Sequence, residues 1–427
     1  MIVYSAKVQK ISQKDIVFIS FLYFCTMKTK TIILFTFMVA LISCHQTYEH
    51  KTVICIPVYG QSLALGEEAI RMTDFDSLAN YADGRIVTEN LDHDFGYFDN
   101  DELKLFAKKM VHYQKRAFEL TVYSMAEMLA DSTGKDTLIC IFPGGQGTTA
   151  IGQLGKGSAP YQKFIDNIQT AYEAAQERGW TFVMPALCWM QGESDIEEYP
   201  GTDYRQLLLQ FVKDINQDVK QITGQQQDVE IVCYQTNPVS RAKKFNALSF
   251  NCPETEVPQV LMELVRDNAQ FHASGPTYPY DFAREAIHID GKSQREHGLL
   301  VAEAVLDILK GRNNLRGLLP TKAECKDNEI VISFNIPVPN LTIDTIQVEK
   351  AKNYGFCVIT PDNQDIAQQV FVQDNNIHIV CTESPQQCRL RYAINGEKGK
   401  SGRKHGPRGN LRDSIGNWCW QFDFPLP

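Results

Sequence analysis

Phe182-Val183-Met184-Pro185-Ala186-Leu187-Cys188-Trp189, running straight into Met190-Gln191-Gly192-Glu193-Ser194-Asp195, is the stretch that decides how this chain reads. A run of apolar residues that stops in an amide, a glycine and two carboxylates describes a buried strand ending at a polar site. Two further runs end in the same manner. Thr52 to Tyr59 (TVICIPVY) leads into Gly60-Gln61-Ser62 and sets a hydroxyl at a strand end. Thr137 to Phe142 (TLICIF) leads into Pro143-Gly144-Gly145-Gln146-Gly147-Thr148-Thr149, a turn rich in accessible backbone N–H groups. Val229–Gln235 is a fourth strand-like run, and His272 begins a possible fifth. Arg116–Ala130, Tyr161–Arg178, Tyr204–Ile222 and Ser293–Lys310 alternate with them as helices. In the third of these, Leu208, Phe211, Val212, Ile215, Val219 and Ile222 fall on one face, a core stripe with no chemistry implied. Alternation of this kind predicts an α/β fold with a parallel sheet between helices, and places ligands at the carboxyl ends of the strands.

The polar clusters supply what acyl transfer needs. Ser62 offers a nucleophile, the 143–149 turn an anion-binding cradle, Gln191 an amide donor, and Glu285-Ala286-Ile287-His288 a base with a carboxylate three residues earlier. Taken singly these signals are weak, since a serine after a strand and a glycine is most often a turn residue. His272 and His297 are rival bases. The glycines at 144–147 lack the Gly-Lys-Ser/Thr ending of a phosphate-binding loop, and no Gly-x-Ser-x-Gly elbow occurs. Reading Glu193 and Asp195 as a glycosidase pair would leave Gln191 idle.

In this order, Gly60-Gln61-Ser62, Gly147-Thr148-Thr149, Trp189 to Asp195 and Glu285 to His288 resemble the SGNH hydrolases, in their sialate O-acetylesterase-like and carbohydrate esterase family 6 branch. The resemblance covers roughly residues 52 to 310. It implies a flavodoxin-like three-layer αβα sheet in which Ser62 attacks the ester carbonyl and His288 takes and returns its proton. Glu285 would orient His288, with Asp281 and Asp290 as fallback partners. The backbone N–H groups of Ser62 and Gly147 and the Gln191 amide would hold the oxyanion, and Gln61, Glu193 and Asp195 would bind substrate or support the site. The sequence departs from the family pattern at Leu63, where Asn is usual, and at Glu285, where Asp is usual. The expected activity is removal of O-acetyl groups from sialic acid or polysaccharide, with no cofactor and no metal. The alternatives are a non-catalytic glycan-binding lipoprotein on the same fold, which the two departures favour, and a lipid esterase.

With 427 residues, 44% of them hydrophobic, the chain can bury one large core and a smaller companion. A net charge of −9 argues against a nucleic-acid partner. Met27-Lys28-Thr29-Lys30, the apolar Thr31 to Ile42 and Leu41-Ile42-Ser43-Cys44 read as a bacterial signal peptide ending in a lipobox. Residues 1–44 are therefore expected to be a leader, with Met27 as the true start and Cys44 as the lipidated residue. An uncleaved anchor that also uses Ile16 to Phe24 is the alternative. The expected address is that of an exported lipoprotein, periplasmic or at the outer membrane or cell surface, which meets the membrane only through its lipid. Residues 45–312 would form the esterase domain.

Residues 313–427, with runs Ile330–Ile336, Phe356–Ile359, Val370–Val372, Ile377–Cys381 and Arg389–Ile394, read as a β-sandwich-like accessory module. Most cysteines lie in apolar runs as core thiols, and Cys381 with Cys388 or Cys357 are the candidate disulfides. Glu67 to Glu102, with eleven carboxylates against two arginines, reads as a solvated surface excursion, or alternatively as an aromatic wall of the cleft. Lys398 to Arg412, with six Lys or Arg and no acid, reads as a mobile solvated loop rather than a contact for an anionic glycan.

Overall fold

A computed structural model describes residues 50–89, 118–312, 317–336 and 340–427. The leader with Met27 and Cys44, and the 90–102 half of the acidic stretch, lie outside the described residues.

The first strands are β1 (Thr52–Cys55) and β2 (Val58–Gly60), then helix α1 (Phe75–Ala79), β3 (Ile86–Val87), α2 (Thr121–Ser132), β4 (Thr137–Cys140) and β5 (Pro143–Gly145). There follow α3 (Ala159–Glu177), β6 (Thr181–Val183), β7 (Ala186–Met190), α4 (Glu193–Glu197), α5 (Tyr204–Thr223), β8 (Glu230–Gln235), α6 (Glu256–Asp267), β9 (Phe271–Pro276) and α7 (Gly291–Leu309). All pairings among these strands are parallel. The runs starting at Thr52, Thr137 and Phe182, each read as one strand, are interrupted, yet the ladder continues across the break, while Val229–Gln235 stays whole as β8. Ile56 N–H donates to the Cys140 carbonyl at 2.9 Å, Val58 N–H to Phe142 at 3.0 Å, and Cys188 N–H to Pro57 at 3.0 Å. Joined in this way, the order across the sheet is β3, β4–β5, β1–β2, β6–β7, β8, β9. Without the two-residue β3, that is the flavodoxin-like order 2-1-3-4-5, whose switch point lies beside the first strand.

Strand alternation makes the three layers. Val53, Cys55, Tyr59 and Trp189 pack in one cluster with Phe164 of α3, Leu208 and Phe211 of α5 and Leu261 of α6. Ile54, Ile56, Val58 and Cys188 point the other way, onto Met125 and Leu129 of α2 and Val301 and Val305 of α7. Helix α6 has no counterpart in the sequence reading. Its Pro258 stands in the first turn, where the missing N–H costs nothing.

Two glycines let the strand ends close up around the site. A Cβ on Gly60 would stand 1.9 Å from the Met190 carbonyl oxygen, and one on Gly145, whose φ is +105°, would stand 1.8 Å from that of Gly60. Gly60→Ala is therefore expected to destabilise the fold by about 3 kcal/mol or more, read as a shift in the urea midpoint, because backbone cannot retreat as a side chain can.

The C-terminal part is antiparallel throughout its ladders. Strands β10 (Leu319–Lys326), β11 (Glu329–Asn335), β14 (Ala367–Gln373) and β15 (Asn376–Cys381) form one sheet in the order β10-β11-β15-β14. Strands β13 (Phe356–Ile359), β16 (Arg389–Tyr392) and β18 (Phe422–Pro425) form another, and β12 (Leu341–Ile343) pairs with β17 (Leu411–Asp413). Burial alternates along β11 and β15, as expected for strands with one face on a core.

The described residues from His50 to Pro427 form one compact unit. Gln235 donates to the Pro258 carbonyl at 2.9 Å and the Gln421 carbonyl at 2.7 Å, and accepts from Gln421 N–H at 2.7 Å. Fully buried Arg391 meets Asp423 at 2.9 Å and the carbonyls of Ala247 and Phe250 at 3.0 Å each. Cys357, Cys381 and Cys388 are free thiols, as are the other described cysteines, so no disulfide joins the candidate pairs. No described helix is long and apolar enough to cross a membrane.

Candidate active site

Ser62 begins a tight turn after β2, held by Ala64 N–H to the Gln61 carbonyl (2.9 Å) and Glu67 N–H to the Ser62 carbonyl (3.0 Å). Leu63 is buried in the core cluster against α7, and its carbonyl accepts from the Gln294 amide at 3.1 Å. Apolar packing therefore anchors the nucleophile turn at the position where the family pattern has Asn. Ser62 Oγ lies 2.8 Å from His288 Nε2, although 226 residues separate them.

The carboxylate on the far side of the imidazole is Glu68, not Glu285. Glu68 Oε2 is 2.9 Å from His288 Nδ1, and Glu68 Oε1 accepts from Arg284 Nη2 at 2.8 Å. A carboxylate at Nδ1 puts the proton there and leaves Nε2 free to accept from the Ser62 hydroxyl. The sequence reading misses Glu68 because it lies in the acid-rich stretch taken as a surface excursion. The available signal was Gly66-Glu67-Glu68 so soon after Ser62.

Glu285 is turned away. Arg284 and Glu285 both adopt left-handed backbone (φ 56° and 53°), and their side chains take different partners, Arg284 going to Glu68 and Glu285 to the C-terminal segment. Glu285 accepts from Lys400 Nζ at 2.9 Å and lies 2.8 Å from His405 Nδ1; these two partners hold its carboxyl below the usual range. The fallback acids are also occupied elsewhere. Asp281 pairs with Arg403, and Asp290 caps α7 by accepting from Ser293 N–H at 2.8 Å. The rival bases are structural. His297 bridges Ser274 Oγ (2.8 Å) and Thr121 Oγ1 (3.0 Å), and burial pushes its pKa down to about 3. His272 sits on β9 against Glu230 at 3.1 Å.

The Trp189–Asp195 block acts mainly as scaffold. Trp189 packs on Phe211 with ring centroids 4.7 Å apart and donates to the Tyr204 hydroxyl at 3.1 Å, which donates on to the Gln191 carbonyl at 3.0 Å. Gln61 Oε1 accepts from Ser194 N–H at 3.2 Å and Gly192 N–H at 3.4 Å, capping α4. Gln191, expected as an oxyanion donor, spends its amide N–H groups on Asp195 Oδ2 (2.6 Å) and the Thr149 carbonyl (3.2 Å). Flipping this amide would set its oxygen against both acceptors, so the orientation is fixed by chemistry. Gln191 thus ties the 147–149 turn to α4, and Asp195 reinforces the tie by accepting from Ile151 N–H at 3.0 Å. The Ser62 and Gly147 N–H groups have no acceptor among the described residues, and a Cβ on Gly147 would lie 3.6 Å from Ser62 Cβ. Both N–H groups are open to an acceptor beside Ser62 Oγ.

Glu193 is fully buried and accepts from the Tyr234 hydroxyl and from Thr236 Oγ1 at 2.7 Å, while its Oε2 has no partner. Burial pushes its pKa up to about 7. A carboxyl raised in the folded state from 4.5 stabilises fully below pH ~4.5, and that stability is lost as pH rises through about 7. The gap corresponds to about 3 kcal/mol. Urea midpoints should therefore show wild type losing stability between about pH 4.5 and 7 relative to Glu193→Gln. A pH-independent difference would contradict the buried acid.

Beside Ser62 lies a cavity of about 480 Å3 lined by Leu65, Glu67, Gln146, Gly147, Lys163 and Asn167, among others. The Glu67 carboxylate on its wall is 4.0 Å from His288 Nε2. No cluster of His, Cys, Asp or Glu fit to hold a metal occurs among the described residues.

A serine, a histidine and a carboxylate stand in line at the carboxyl end of a flavodoxin-like sheet, in keeping with the SGNH-like class of carbohydrate esterases. Residues 107–307 match the family described as carbohydrate esterase, sialic acid-specific acetylesterase, so the chain carries a segment of this family and is an enzyme of the carbohydrate acetylesterase class. Gly147, Gln191 and His288 fall inside the matched segment, while Ser62 and Glu68 precede it. The fold is similar to that of a carbohydrate acetylesterase from Xanthomonas citri, with 13% identity and a TM-score of 0.60 over 87% of this chain and 80% of that one. Two further solved structures are similar at 16% identity and a TM-score of 0.41. One is a protein from Arabidopsis thaliana (59% of this chain, 98% of that one) and the other is NanS (62% and 99%). No curated protein sequence matches the chain.

Proposed function

We propose that this protein removes O-acetyl groups from carbohydrates, sialic acid or polysaccharide, through a covalent acetyl-enzyme. Ser62 Oγ attacks the ester carbonyl as its proton passes to His288 Nε2. Glu68 holds the imidazole in the reactive tautomer and stabilises the imidazolium, and His288 then protonates the departing sugar oxygen. Water, activated by His288, releases acetate and restores Ser62. The Ser62 and Gly147 N–H groups receive the developing negative charge.

The observation that carries this reading is the unbroken Ser62–His288–Glu68 line, with contacts of 2.8 and 2.9 Å. The same line speaks against a glycan-binding protein that has lost catalysis, because the departures at 63 and 285 are both compensated. Glu67, Gln146, Lys163 and Asn167 give the adjoining cavity hydrogen-bonding groups for a sugar, set among the apolar Leu65, Pro143, Pro160 and Phe164.

Acetate release from 4-nitrophenyl acetate, acetylated sialic acid and acetylated xylan tests the reading and orders the substrates. A folded protein that releases acetate from none of them would refute it. We further propose export as a lipoprotein modified at Cys44, for which the Leu41-Ile42-Ser43-Cys44 ending is the support. Loss of palmitate labelling in Cys44→Ala would bear this out, and an equally labelled variant would refute it.

A further inference from the structure

The loop that carries His288 has little structure of its own. It consists of one turn, Ala283–Glu285, with two successive residues in left-handed backbone, closed by Ala283 N–H to the His288 carbonyl at 2.7 Å and a bridge between Phe282 and Ile289. Backbone of that kind persists only where its surroundings impose it.

On one side the surroundings are the site itself, through Arg284 and Glu68. On the other they are the C-terminal segment Lys400–His405. Ser401 N–H donates to the Glu285 carbonyl at 2.9 Å and Arg403 N–H to the Tyr280 carbonyl at 3.1 Å. Arg403 Nε donates to Asp281 Oδ1 at 2.9 Å, its Nη2 bonds the other oxygen, and Lys400 and His405 grip Glu285. Gly402 lies so close that a Cβ there would stand 2.8 Å from the Tyr280 carbonyl oxygen.

The same segment reaches the other half of the site. Gly399 N–H donates to the Ser240 carbonyl at 3.0 Å and Ser240 Oγ to the Lys400 carbonyl at 2.5 Å. The adjacent Arg241 pairs with Glu197 of α4, the helix that follows Gln191. The basic run expected as a mobile solvated loop is therefore a folded clasp, with Ser401 and Gly402 buried.

We infer that Lys400–His405 is a positioning element for the catalytic base: the C-terminal module holds the His288 loop in register with Ser62, and Glu285 has become its handle. The inference rests on the proposed esterase mechanism. None of Lys400, Arg403 and His405 bonds Ser62 or His288, so these side chains act through Asp281 and Glu285.

The test uses the full chain. In Lys400→Gln/Arg403→Gln, kcat on 4-nitrophenyl acetate should fall roughly 10- to 100-fold with KM little changed, as expected when a reacting group shifts by about an ångström. Labelling of Ser62 by a fluorophosphonate should slow in parallel, in protein whose circular dichroism is that of wild type. The conservative Lys400→Arg and the exchange Glu285→Lys/Lys400→Glu should recover most of the rate. A folded double variant with wild-type kcat and labelling would overturn the inference. So would a loss that merely tracks the unfolded fraction, with the folded remainder labelling at the wild-type rate. Wild-type protein that neither turns over nor labels at Ser62 would instead refute the esterase mechanism, and this inference with it.

Discussion

Ser62→Ala is expected to lower kcat by roughly 10⁴- to 10⁶-fold while leaving the fold unchanged. The magnitude follows from what the hydroxyl does. It forms the covalent bond, and without it His288 and the two backbone N–H donors retain only what positioning and charge stabilisation give a direct attack by water. The fold should tolerate the change because Ser62 Oγ makes one hydrogen bond, to His288, and the turn is held by backbone bonds and buried Leu63. Measured with 4-nitrophenyl acetate and acetylated sugars, alongside thermal unfolding, activity surviving within tenfold of wild type would sink the assignment of the nucleophile.

The second large effect is expected at Glu68. Glu68→Gln should lower kcat by about 10³- to 10⁴-fold with a small change in KM, since an amide at this point no longer enforces the proton on Nδ1 or stabilises the imidazolium. The neighbouring Arg284 then loses its partner at 2.8 Å, but it is largely exposed and rehydrates at little cost. Glu285→Gln makes the contrast: it removes a carboxylate that grips Lys400 and His405, so its effect should stay nearer that of the clasp variants. If Glu285→Gln proved as damaging as Ser62→Ala while Glu68→Gln was silent, the carboxylate next to His288 in solution would be Glu285, and the site geometry would be wrong.

Much of the fold was legible because the deciding forces are local. Continuous apolar runs of strand length, helices with a single apolar face, and glycines where chains must touch are written into neighbouring residues. They locate Ser62, Gly147, Gln191 and His288 at strand ends and in the loop before the last helix. Short-range signals were less reliable where pairing depends on distant partners. The Gln191 amide goes to Asp195 and to the Thr149 carbonyl, and the second contact exists only because the 147–149 turn packs beside α4.

The third catalytic group shows the division most clearly. Sequence spacing points to Glu285, because three residues before a histidine is where the family pattern has its acid. Glu285 and the residue before it adopt left-handed backbone, and Lys400 and His405, 115 and 120 residues downstream, capture its carboxylate. The vacancy at His288 is met by Glu68, 220 residues upstream. By itself the sequence determined most of the strands and of the helices that cover them, since these follow from residues within one element, and the order of its motifs pointed to the proposed nucleophile, base and anion-binding turn. Which carboxylate faces the imidazole, and that a basic C-terminal loop braces it, was decided by tertiary structure alone, because contacts closed over more than a hundred residues depend on how loops pack and not on local preference.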